Sequence, residues 1–78
     1  MISLEQFKTA RRVLRGVIRP TNLIDSPALS NSTGNRVYLK PENMQVTGAY
    51  KIRGAYYKIS TLSQEQRERG LITASAGN

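Results

Sequence analysis

Lys51 is the residue whose surroundings best suit covalent chemistry, because it follows a glycine-containing turn and begins an apolar helical segment. Gly48 in that turn allows backbone conformations that other residues rarely adopt. Tyr50 precedes the lysine, and Ile52 and Ala55 follow it. Apolar neighbours disfavour the ammonium form by desolvation and leave the nitrogen lone pair free to attack an aldehyde. The pattern therefore predicts a lysine that reacts with carbonyl groups, although most lysines at helix starts are solvated surface residues.

The segment around this lysine helps to choose between those two interpretations. Residues 40–55 read KPENMQVTGAYKIRGA and closely resemble the cofactor-lysine segment of the fold-type II pyridoxal-phosphate enzymes. The segment looks most like that of the threonine ammonia-lyase (threonine dehydratase) family, whose usual form is K-x-E-x-x-Q-x-T-G-S-F-K-x-R-G-A. The resemblance implies that Lys51 holds pyridoxal 5'-phosphate as a Schiff base and that Tyr50 packs against its pyridine ring.

A second motif stands at the end of the sequence, where Ser75, Ala76, Gly77 and Asn78 resemble the family's S-[SA]-G-N-H loop. The resemblance implies that this loop binds the substrate carboxylate and that Asn78 also contacts the phenolic oxygen of the cofactor. Two motifs in the family's order are more specific than either alone, and the likeness covers the sequence from about Arg19 onward. Without the family, Ser75 is also compatible with the N-cap of a following helix.

The resemblance implies a function for a protein longer than these 78 residues. The implied reaction is the dehydration and deamination of L-threonine, and also of L-serine, to a 2-oxo acid and ammonia. Lys51 is the implied acid–base group at the α-carbon. The expected partners are a small amino-acid substrate and further copies of the chain. The present chain is expected to be inactive alone, since family members carry their glycine-rich phosphate loop further downstream. Catabolic and biosynthetic (isoleucine) roles both stay open.

Departures from the family pattern bear on the choice among relatives. Ala76 has no exchangeable proton, whereas the serine racemase branch has a serine there as an acid–base group, so racemisation by that route is disfavoured. Ala49 and Tyr50 replace a Ser-Phe pair, which keeps an aromatic ring beside Lys51. Arg53 is interpreted as a partner in a surface ion pair. Serine racemase/dehydratase and threonine synthase, which also use pyridoxal phosphate, remain alternatives.

Composition excludes several other kinds of site. The sequence has no cysteine and no histidine, which removes disulfides, thiolate nucleophiles, imidazole bases and common zinc sites. The missing cysteines suit a reducing compartment, and no secretory signal or membrane-length apolar run is visible, so a cytoplasmic location is expected.

The net charge of +7 would suit a small nucleic-acid-binding module using Arg11, Arg12, Arg15 and Arg19. We favour a solvated basic face, since the other basic residues are interspersed with acids.

The pattern of apolar residues predicts the elements that position the lysine. Residues 1–18 read as an amphipathic helix, capped by Ser3 and Gln6, and residues 19–78 as the incomplete start of an α/β layer. The resemblance implies the open, tryptophan synthase β-like sheet with flanking helices. Expected in order are an extended piece at residues 23–24, a helix at 27–32, a strand at 36–40, a helix at Lys51–Ser60, a short helix capped by Ser63 and Gln66 and ending at Gly70, and a buried parallel strand at 71–74.

Overall fold

The computed structural model describes residues 1–75 as four helices, one 3-10 turn and one small sheet. None of the helices in this part of the chain is long and apolar enough to cross a membrane. In chain order the elements are α1 (Leu4–Leu14), β1 (Ile24–Asp25), α2 (Pro27–Thr33), β2 (Tyr38–Leu39), the 3-10 turn (Glu42–Met44), α3 (Lys51–Ser60) and α4 (Gln64–Glu68).

Helix α1 begins with the capping box that the sequence predicts. The Gln6 amide N–H donates to Ser3 Oγ at 3.2 Å, and the Ser3 N–H donates to Gln6 Oε1 at 2.7 Å. Two of the four backbone donors that have no partner within the helix are thereby satisfied. The helix ends at Leu14, four residues before the end of the predicted helical segment 1–18, because Arg15 has an extended ψ of 129°.

The strands β1 and β2 form a two-stranded antiparallel ladder, with Ile24 opposite Leu39 and Asp25 opposite Tyr38. Helix α2 connects them, as predicted, with Pro27 in its first turn and Gly34 in a left-handed conformation (φ 72°) at its end. The predicted strand at residues 36–40 is shortened to two residues, because only these face a partner strand.

Helix α3 has the predicted bounds, Lys51–Ser60, and α4 opens with the predicted reciprocal bonds between Ser63 and Gln66. The α4 helix stops at Glu68 and is followed by Gly70 at a φ of 84°. A left-handed residue cannot continue a right-handed helix, so a glycine at this position terminates it at little steric cost.

The predicted buried, parallel strand at residues 71–74 is wrong for this structure. The segment has no strand pairing, Leu71 is 58% exposed and Ile72 is fully exposed. A parallel strand needs a neighbour running in the same direction on which to form its ladder. Within residues 1–75 the only sheet is the antiparallel pair β1–β2, so an open parallel sheet is not formed by this part of the chain.

The molecule has little core of its own. Helix α1 packs against α3, and Leu14 is the only buried apolar residue among residues 1–75. The Cα radius of gyration is 16.3 Å, against about 11.5 Å for a compact domain of this length. The accessible surface is 6754 Å², whereas a monomer of this mass typically exposes about 4,700 Å². A large apolar surface is therefore left open to solvent.

Candidate functional site

The turn between β2 and α3 determines where Lys51 lies. The chain leaves the 3-10 turn at Met44, and the Gly48 N–H donates to the Gln45 carbonyl at 2.9 Å, which closes a tight turn. Gly48 has a φ of 75°, a left-handed value that glycine adopts without a Cβ clash. The Arg53 N–H then donates to the Tyr50 carbonyl at 3.1 Å. Lys51 is thereby placed as the first residue of α3.

The Lys51 amine reaches the second sequence motif. Its Nζ donates to Ser75 Oγ at 2.5 Å, across 24 residues of chain. Lys51 is half-buried and Tyr50, beside it, is 65% exposed, so the lysine is less desolvated than the sequence suggests. Leu71 and Ile72, on the segment that leads to Ser75, face solvent. The structure thus brings Lys51 and Ser75 together, while Ala76, Gly77 and Asn78 lie outside the described residues.

A second polar cluster lies at the base of the same loop, and spacing in the sequence did not reveal it. Arg53 donates from Nε and Nη2 to Glu42 Oε1 at 2.9 and 2.6 Å. The same Nη2 donates to Thr21 Oγ1 at 3.0 Å, and Thr21 Oγ1 donates to Glu42 Oε1 at 2.9 Å. The ion pair predicted for Arg53 is therefore present, but it is partly buried, with side-chain exposures of 30% for Arg53 and 18% for Glu42.

Glu42 is held as a carboxylate by this cluster. The hydrogen bond from Arg53 lowers the pKa of the Glu42 carboxyl below its ordinary value, and hydrogen bonds from Thr21 and Gln45 and the charge of Arg53 act in the same direction. Partial burial opposes them, since desolvation disfavours the charged form. Its other oxygen, Oε2, is buried and has no hydrogen-bond partner in the described part of the chain.

Gln45 and Lys40 attach the loop base to the segment that follows α1. The buried Gln45 side chain donates from Nε2 to the Arg19 carbonyl at 2.7 Å and accepts from the Arg19 N–H at 2.9 Å. Lys40 Nζ donates to the carbonyls of Pro20 and Thr21 at 3.2 and 3.0 Å. Two segments some twenty residues apart in sequence are thereby joined.

One groove of the structure is separate from the lysine. A groove of about 830 Å³ lies between α1 and α3 and is lined by Leu14, Ile18 and Tyr57 among others, with Arg11 and Arg15 at its edge, but by neither Lys51 nor Ser75. Over residues 1–75 no group of three or more acidic, histidine or cysteine side chains is placed to hold a metal ion. At the lysine, the structure places an amine beside a hydroxyl.

Comparison with known proteins gives a family match for most of the chain. The family model described as "Pyridoxal-phosphate dependent enzyme" matches residues 14–78. The whole chain is also 55% identical to an L-threonine ammonia-lyase from Thermotoga maritima, of which it covers 20%. No solved structure matches the chain significantly.

Two further relatives are a biosynthetic and a catabolic enzyme by name. The chain is 47% identical to a biosynthetic L-threonine dehydratase from Lactococcus lactis and covers 19% of it. It is 49% identical over 79 aligned residues to a catabolic L-threonine dehydratase from Staphylococcus aureus and covers 23% of that protein. The chain spans about a fifth of the length of the curated relatives it matches.

Proposed function

Since the chain belongs to the pyridoxal-phosphate dependent enzyme family, we propose that it forms the lysine-bearing portion of a threonine ammonia-lyase. The proposed reaction converts L-threonine, and also L-serine, to a 2-oxo acid and ammonia. The observation that supports it most directly is the 2.5 Å hydrogen bond from Lys51 Nζ to Ser75 Oγ. This bond joins the two motifs that the family would use for cofactor and substrate.

The described residues include an amine and an aromatic ring that suit the binding of pyridoxal 5'-phosphate. Lys51 offers a half-buried primary amine for a covalent bond to the aldehyde, and the adjacent, exposed ring of Tyr50 has a face free for an aromatic ligand. When bound, pyridoxal 5'-phosphate supplies an electron sink that stabilises negative charge at the α-carbon. The remaining cofactor contact proposed within this chain is Asn78.

Lys51 would act on the substrate as the acid–base group. Its Nζ, once free, would take the α-proton of threonine and return a proton to the hydroxyl on the β-carbon, which would leave as water. That water is regained when the nitrogen is released as ammonia, so the sum is one 2-oxo acid and one ammonia from each amino acid. Ser75, Ala76, Gly77 and Asn78 would hold the substrate carboxylate, with hydroxyl and backbone N–H donors suited to an anion. Ser75 Oγ also fixes the direction of the lysine amine.

A lysine substitution in the whole protein tests this assignment. Lys51→Ala should abolish 2-oxobutanoate formation from threonine, while Lys58→Ala, on the same helix but exposed, should leave it unchanged. Reduction with borohydride followed by peptide mapping should give a pyridoxyl-modified peptide containing Lys51. Attachment of the cofactor to another lysine, or retained activity in Lys51→Ala, would disprove the proposal.

We also propose an enzyme that works as a homo-oligomer without a nucleic-acid partner. Arg19, one of the four clustered arginines, donates from Nη1 to the Met44 carbonyl at 3.1 Å, and Arg12 donates to Thr9 Oγ1 at 3.0 Å. Two of the four guanidinium groups are thus already engaged within the chain. Binding to DNA or RNA that falls steeply with salt would favour the nucleic-acid alternative instead.

A further inference from the structure

The loop that carries Lys51 is closed at its base by one ion pair. Glu42 lies in the 3-10 turn where the chain enters the loop, and Arg53 lies in the first turn of α3 where the chain leaves it. Their side chains meet 11 residues apart through two hydrogen bonds to Glu42 Oε1. Lys51 therefore lies in the stretch of chain between Glu42 and Arg53, whose side chains are hydrogen-bonded to each other.

Thr21 and Gln45 hold this closure to the segment after α1. Thr21 is 7% exposed and Gln45 3% exposed, and both are fully engaged in the hydrogen bonds described above. Thr21 has a φ of 42°, a left-handed value that is unfavourable for a β-branched residue and persists only where the surroundings determine it. The tip of the loop, by contrast, is exposed at Met44, Val46 and Thr47. The base is fixed by buried and partly buried side-chain hydrogen bonds, whereas those at the tip, from Arg19 Nη1 to the Met44 carbonyl and from Thr47 Oγ1 to the Ala49 carbonyl, are exposed.

Helix geometry relates this base to the lysine. Successive residues of an α-helix are rotated by about 100°, so Arg53 and Lys51 point in directions about 200° apart around α3. Arg53 is directed to Glu42 and Thr21, while Lys51 is directed to Ser75. Fixing the rotation of the first turn through Arg53 therefore also fixes the direction of the amine.

We propose that Glu42 and Arg53 are positioning residues, whose ion pair sets the rotation of the first turn of α3 and so holds the Lys51 amine toward Ser75. This inference rests on the proposed function of Lys51. Arg53 Nε and Nη2 both donate to Glu42 Oε1, and Nη2 also donates to Thr21 Oγ1. Three hydrogen bonds from one planar group restrict its orientation as well as its distance, which a single point charge does not. In this proposal the pair acts through Lys51 and not by its own contact with substrate or cofactor.

The test uses Glu42→Gln and Arg53→Lys in the whole protein loaded with pyridoxal phosphate. Arg53→Lys keeps the positive charge and removes the planar fork, so it changes orientation with the least cost to folding. The chain offers a matched control in the exposed Glu65–Arg69 ion pair of α4, with Glu65→Gln and Arg69→Lys. The readouts are kcat, KM for threonine, and the pH midpoint of the visible absorption of the bound cofactor.

Both Glu42→Gln and Arg53→Lys should lower kcat by about ten- to a hundredfold, the range expected when a reacting group is misplaced by up to 1 Å. KM should change by less, the spectral pH midpoint should shift, and both control variants should match the wild type. Wild-type kcat and spectral midpoint in folded Arg53→Lys would overturn the proposal and leave a purely structural ion pair. Failure of the proposed function would be distinct, because borohydride reduction of the wild type would then label a residue other than Lys51.

Discussion

At the level of single residues, the sequence identifies the lysine of the site, but it does not identify the polar cluster at the base of the loop. Lys51 stands out because its neighbours in sequence form a motif. Glu42, Arg53 and Thr21 meet only in the folded chain, with Thr21 and Arg53 separated by 32 residues. No periodicity connects positions so far apart. The sequence therefore predicted an ion pair for Arg53 but did not identify Glu42 and Thr21 as the residues that it contacts.

Glu42 leads to a prediction about pH. Its pKa is lowered in the folded state, so its carboxylate stabilises the fold above its ordinary pKa of about 4.3, and this contribution is lost as the pH falls through the folded-state pKa. Glu42→Gln lacks the contribution at every pH. Thermal melts of the whole protein should therefore show a gap between wild type and variant that is full at pH 6 to 7 and narrows below about pH 4.3. A gap that stays constant into acid would contradict this account.

At the scale of elements, the helices follow from local sequence and the strands do not. Both capping boxes, Ser3–Gln6 and Ser63–Gln66, form as predicted, because each needs only residues three apart. The proposed strand at residues 71–74 instead needs a neighbouring strand, and the described chain provides none in the parallel direction. An apolar run therefore indicates that a segment is suited to burial, but not what will cover it.

The contact between α1 and α3 leads to a prediction about stability. Leu14 is 7% exposed, whereas its neighbour Val13 is 37% exposed. In the whole protein, Leu14→Ala should lower the free energy of unfolding by about 2–3 kcal/mol, through lost burial and the cavity left behind. Val13→Ala should cost about 0.5 kcal/mol or less. Urea titrations of both variants measure the difference, and equal effects would show that Leu14 is not the anchor of α1.

At the scale of the whole molecule, the surface is the informative feature. Seventeen large apolar side chains are exposed within residues 1–75, and the groove between α1 and α3 is open. The Thermotoga maritima relative is about five times this length, since the chain covers 20% of it. We expect the exposed apolar side chains to be the contact surface for the rest of such a protein.

The exposed apolar surface leads to a prediction about the 78-residue chain in isolation. Without a covered core it should bind a hydrophobic dye such as ANS and unfold without a sharp cooperative transition, because too little apolar area is removed from water to offset chain entropy. Incubated with pyridoxal phosphate and threonine, it should produce no 2-oxobutanoate, while the whole protein under the same conditions should. A cooperative melt without dye binding would show that the described elements form a stable domain alone. Threonine turnover by the isolated chain, lost in Lys51→Ala, would show that residues 1–78 already contain a complete active site.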